Sequence, residues 1–118
     1  MRHFMLIFRN ENADFSKFSP KDFQELIKLY DAWTQKMIAD GSRVSEGKLT
    51  RDLGKTLRST KEGKVKLDGP FADSKEAIAG ISIIKARDLE SAVEIARGCP
   101  GLTYGASVEI REVEILGS

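Results

Sequence analysis

Residues 68–76 read Asp68-Gly69-Pro70-Phe71-Ala72-Asp73-Ser74-Lys75-Glu76, and no other stretch of the chain is as informative. Aspartate, glycine and proline in succession force a turn. Phe71 adds a large apolar anchor just past it, and charged side chains crowd the positions that follow. Upstream, residues 55–60 and 64–68 flank Lys61-Glu62-Gly63, the pattern of a hairpin loop. Lysine and arginine dominate both arms, which suits a sheet edge or a protruding ribbon. Downstream, the isoleucine-rich residues 80–86 read as a strand.

Further out, residues 4–8 (Phe4-Met5-Leu6-Ile7-Phe8) form a strand. Phe4, Leu6 and Phe8 share one face; His3, Met5, Ile7 and Arg9 share the other. Ser19-Pro20 starts a helix, with Ser19 as cap, proline in the first turn and Asp22 adding a favourable negative charge. Phe23, Leu26, Ile27, Tyr30, Trp33, Met37 and Ile38 recur at helical spacing until Gly41 ends the run. Residues 43–50 are a weaker strand. Asp88 caps a second helix, with Glu90 in its first turn and Leu89, Ala92, Val93 and Ala96 as its stripe; Arg97, Gly98 and Pro100 stop it. Residues 98–106 read as a short loop. Residues 107–116 are the last strand. There the apolar phase slips between Ile110 and Val113, which predicts a β-bulge or a bend near Arg111-Glu112.

The order strand, helix, strand, hairpin, strand, helix, strand is α+β. It fits a ferredoxin-like split βαβ arrangement with an inserted hairpin. The 118 residues suit a single domain, residues 1–118. At that length folding buries only about two-thirds of the unfolded chain's surface. Two helices cover one face of such a sheet, and the other bears Met5 and Ile7. A second copy covering it, with a cavity between the facing sheets, is the physical expectation.

Charge and composition narrow the partners. Nineteen basic and 18 acidic side chains give a net charge of +1. That balance argues against nucleic acid, which needs a basic excess on one surface. Only five consecutive apolar residues precede Arg9, too few for a membrane span or a signal peptide's apolar region. The single cysteine, Cys99, has no intrachain partner, and a cytoplasmic setting is the simplest expectation. One histidine and one cysteine make no typical zinc site, and the dispersed glycines form no phosphate loop. No metal and no cofactor are expected.

The stretch at residues 68–76, followed by Gly80, resembles the signature of the DGPF proteins of the YCII-related superfamily. The likeness continues through Glu46-Gly47-Lys48-Leu49, residues 92–100 and Val108-Glu109-Ile110-Arg111. Relatives usually continue that last motif with proline, where Glu112 stands here. The resemblance implies a dimeric ferredoxin-like α/β barrel whose members are mostly uncharacterised. An enzymatic role proposed for the superfamily uses a His and Asp pair, with the histidine in or just after the first helix. Residues 20–40 contain no histidine, so that pair is not carried over. An association of some DGPF proteins with extracytoplasmic-function sigma factors suggests a regulatory or protein-interaction module as the alternative.

Six side chains remain as candidate site groups. Asp68 is placed to act as a general base in a cleft, or else to organise the turn by accepting backbone hydrogen bonds. Lys75 offers a cation to an anionic ligand, although Asp73 and Glu76 around it also fit the capping box of a short helix. Glu109 and Arg111 point the same way from the last strand, toward the expected cavity. There Arg111 would grip a carboxylate or phosphate with its planar fork and Glu109 would serve as a base, or the two would form an intersubunit ion pair. His3 and Arg9 share that cavity face, and His3 is the one side chain whose ordinary pKa lies near neutrality. The expected function is therefore a small-ligand-binding or metal-independent acid/base module. Asp68, Glu109 and His3 would be its catalytic groups, and Arg111, Lys75 and Arg9 would bind a small, anionic molecule at a homodimer interface. Tyr30, Trp33 and Met37 read as core, and Cys99 as structural.

Overall fold

A computed structural model of the chain describes residues 1–10, 12–50, 52–71 and 78–117. Among the described residues six strands and two α-helices run in the order β1 (Arg2–Arg9), α1 (Pro20–Ala39), β2 (Arg43–Lys48), β3 (Thr56–Ser59), β4 (Val65–Asp68), β5 (Ile78–Ala86), α2 (Leu89–Ala96) and β6 (Ser107–Val113). A four-stranded sheet has the order β2-β5-β1-β6, and each neighbouring pair is antiparallel. β1 and β2, joined through α1, flank the antiparallel β5. This is the split βαβ of a ferredoxin-like α+β fold. The β3–β4 hairpin is inserted between β2 and β5 as a separate two-stranded sheet. It extends the outline: the Cα radius of gyration is 16.7 Å, against about 13–14 Å for a compact chain of this length.

Local chemistry sets the helix ends. Ser19 accepts from the Asp22 amide while the Asp22 carboxylate accepts from the Ser19 amide, a capping box closing the first turn of α1. Asp88 caps α2 through the Ser91 amide. Residues 98–106 are more ordered than a loop, because Pro100–Tyr104 form a turn of 3-10 helix. Proline presets its first residue, and Gly105, at φ 91°, ends it in the left-handed region. A side chain at Gly105 would strike the Asn12 carbonyl.

Both helices pack on the same sheet face. Phe4, Leu6, Ile84 and Ala86 from the sheet meet Trp33 and Met37 of α1 and Ala92 and Ala96 of α2, with Cys99 beside them. The Trp33 indole donates to the Ile95 carbonyl at 3.2 Å, tying α1 to α2. Tyr30 Oη and Cys99 Sγ lie 3.6 Å apart. Of the seven-residue stripe read on α1, only Trp33 and Met37 are buried; Phe23, Ile27 and Ile38 stay exposed. An aromatic cluster that the periodicity did not foretell fastens the β1–α1 loop: Phe18 packs on Phe15, Phe23 and Tyr104, with ring centroids 5.1 Å apart in each pair.

The bulge expected at Arg111-Glu112 is absent. β6 pairs with β1 in unbroken register from His3↔Val113 to Arg9↔Ser107. The irregularities fall instead between Phe8 and Arg9 and between Arg43 and Ser45, in the pairings of β1 and β2 with β5. The slip in apolar phase has a different cause. Val108 and Ile110 face the helices, whereas Val113 faces the opposite side beside His3, and that side is apolar too. Glu112, left on the helix side at the sheet's end, is paired with Arg2 at 2.7 Å.

Leu6 is fully buried in the small core. Leu6→Ala is expected to cost about 2–5 kcal/mol, read as a lowered urea midpoint with little change in slope.

Candidate functional site

The sheet face away from the helices carries four of the residues singled out in the sequence, His3, Arg9, Glu109 and Arg111. Strand pairing places Met5 opposite Arg111 and Ile7 opposite Glu109, with Arg9 at the end of β1. Arg9 Nη1 lies 2.8 Å from Glu109 Oε1, and Arg111 Nη1 lies 3.4 Å from Glu109 Oε2. One carboxylate is thus held between two guanidinium groups. The hydrogen bond from Arg9, and after it that from Arg111, holds the Glu109 carboxyl below its ordinary range. A carboxylate so stabilised is a weak proton acceptor and a good electrostatic anchor. Arg111 is the most open of the three, with its side chain 71% exposed and a single long bond to Glu109. Around this cluster the face is apolar and half-exposed: Met5 and Ile7 of β1, Ile81 and Ile83 of β5, and Val113 of β6.

His3 shares the face but not the cluster. Its cross-strand neighbours are Lys85 and Val113. The Ile7–Glu109 row lies four residues along β1, about 13 Å away, so within one protomer His3 and Glu109 form no acid/base pair. Asp68 stands at the end of β4, where Arg58 Nε lies 3.1 Å and Lys66 Nζ 3.7 Å from its carboxylate oxygens. Among the described residues its partners are these side chains, not the backbone amides of the turn. Arg58 also lies over the Phe71 ring, 5.0 Å from its centroid, so a single guanidinium gathers the aspartate and the phenylalanine of the motif. Lys75, and the capping box read at Asp73 and Glu76, lie outside the described residues. Arg9, Glu109 and Arg111 are brought together; Asp68 belongs to the hairpin.

A second concavity lies on the helix side. A hollow of about 420 Å³ opens between α1 and the β2–β5 edge, lined by Phe8, Phe23, Ile27, Tyr30, Asp31, Trp33, Glu46, Lys48 and Gly80 among others. Tyr30 and Trp33, read in sequence as core, have their ring edges in the core and also wall this hollow. The exposed half of the α1 stripe was its only sequence signal, and periodicity does not separate a packed stripe from one roofing a cavity. Burial and the adjoining Cys99 thiol push the Tyr30 phenol up, so it stays neutral. Among the described residues no three His, Cys, Asp or Glu side chains converge to hold a metal ion, and no helix is long and apolar enough to cross a membrane.

Comparison with known proteins adds a family. The profile of the YCII-related domain matches residues 1–115. No curated protein matches. Among solved structures the chain is similar to the Arabidopsis thaliana protein At3g17210, with 12% identity and a TM-score of 0.37, over 100% of this chain and 98% of that one.

The Glu109 cluster has a pH signature. A carboxyl lowered on folding contributes stability that is present above its ordinary value near 4.5 and lost as pH falls through the lower folded value. Urea midpoints measured across that acid range should fall less steeply in Glu109→Gln than in the unmodified protein; identical slopes would show that the pairing contributes nothing.

Proposed function

The chain belongs to the YCII-related family, and on that premise we propose that it is a small-ligand-binding module working as a homodimer. Two protomers would bury their open sheet faces against each other, giving the dimeric α/β barrel and leaving a polar hollow between the sheets. One observation carries this reading: an Arg–Glu–Arg cluster stands beside Met5, Ile7, Ile81 and Ile83 on a sheet face that neither helix covers. Charges are rare in a surface destined for burial unless they are paired or used.

Two guanidinium groups and one carboxylate leave a net charge of +1, which selects a small anion. Arg9 holds Glu109, and Arg111 offers the uncommitted donors of its fork to a carboxylate or phosphate. Binding fits this geometry better than turnover, since Glu109 is a weak base and the His3 of the same protomer lies too far along β1 to work with it. A cytoplasmic setting belongs to the same reading, supported by a lone buried thiol with no second cysteine to join.

One observation favours a protein-interaction role beside this. Leu57, Val65 and Leu67 on the β3–β4 hairpin are 60–71% exposed, an apolar surface that suits a protein contact. Replacing Leu57 and Leu67 by lysine separates the readings, because the anion site predicts unchanged ligand binding in that variant.

The direct test is calorimetric titration with phosphate and small dicarboxylates. Arg111→Ala should weaken binding by about tenfold or more, the value of a charge-assisted pair, while sedimenting like the unmodified protein. Full affinity in that variant would contradict the assignment.

A further inference from the structure

We propose that the hollow between α1 and the β2–β5 edge is a second binding site, built for a small organic cation with an apolar body, an arylalkylamine in chemical class. It lies on the sheet face opposite the anion cluster and does not rest on the dimer reading. Its volume, about 420 Å³, falls in the range of small-molecule pockets, which are mostly apolar with a few placed polar groups.

The floor is kept open by a missing side chain. Across the sheet, Phe8, Gly80 and Lys48 form one row on the helix side. A Cβ at Gly80 would sit 2.8 Å from the Gly47 carbonyl oxygen, backbone that cannot swing away. The sheet therefore cannot fill the space from below. The walls are aromatic. Phe8 and Trp33 meet edge to face at 6.1 Å, and Tyr30 and Trp33 at 6.4 Å. Tyr30 and Trp33 already spend their polar edges on Cys99 and the Ile95 carbonyl. What they offer a ligand is ring surface, which attracts cations.

The rings and the helix wall, not the strand edge, set where a cation would sit. Glu46 is paired with Arg43 at 3.5 Å, and Lys48, two residues along the same strand face, brings this edge to a net charge of +1, so the strand side does not itself draw a cation. Asp31 lines the hollow and, among the described residues, has neither a hydrogen bond nor an ion pair. An ammonium group reaching Asp31 would gain a charge-assisted bond while its apolar body rests on the rings.

Thermal-shift and calorimetric titrations with phenethylamine, 2-phenylethanol and phenylacetate test this. Phenethylamine should raise Tm in a concentration-dependent way, the alcohol should do so more weakly and the carboxylate should do least. Asp31→Asn should lower amine affinity about tenfold and leave the alcohol unchanged. Ile27 is 59% exposed, so Ile27→Trp fills the mouth from the solvent side and should abolish binding of all three. Arg111→Ala should bind phenethylamine normally, which separates this site from the anion site. Phenylacetate binding as tightly as phenethylamine, amine affinity unmoved by Asp31→Asn, or no binding of any probe would overturn the proposal.

Discussion

Two helices cannot cover both faces of a four-stranded sheet, and most of this molecule follows from that. The covered face holds nearly all the buried apolar side chains, a small set centred on Phe4, Leu6, Ile84 and Trp33. The other keeps Met5, Ile7, Ile81, Ile83 and Val113 half-exposed. Wetting such a surface forfeits hydrophobic free energy of about 25 cal/mol per Å². A partner on that face would restore it, and a second copy would present a matching surface by symmetry.

Charge placement gains meaning from the same constraint. Taking Arg9, Glu109 and Arg111 out of water costs desolvation that their mutual attraction does not reliably recover. Apolar residues at these positions would make a tighter seam. Their presence fits a hollow that must hold a ligand, or a register that must be unique, better than it fits adhesion alone. On the helix side the compromise differs. Glycine at position 80 and the half-exposed stripe of α1 leave space where a denser core would otherwise form. The open face therefore combines apolar cover with charge, and the helix side combines core with cavity.

Much of the architecture was legible in sequence because local signals agreed with one another. The Ser19 cap with Asp22 in the first turn, the Asp88 cap, the isoleucine alternation of β5 and the turn around Lys61-Glu62-Gly63 all stand where their chemistry puts them. The face shared by His3, Met5, Ile7, Arg9, Glu109 and Arg111 also followed from period-two alternation alone. Other features depended on tertiary context. The phase change before Val113 resembles a bulge in one dimension, yet it reflects a strand that is apolar on both sides. Asp68 beside glycine and proline looks like a turn former, but Arg58, ten residues back across the hairpin, takes its carboxylate. The distance between His3 and Glu109 depends on strand register, which composition does not encode. The hollow beside α1 depends on how the helix packs against the β2–β5 edge, and periodicity is silent on that.

Sedimentation velocity over a dilution series from micromolar to nanomolar protein addresses the central claim most directly. Burial of two open faces against each other predicts a species of twice the 13.1 kDa chain mass at micromolar concentration, weakened by a charged substitution at Ile7 on the open face. A single 13.1 kDa species at every concentration, insensitive to that substitution, would contradict it.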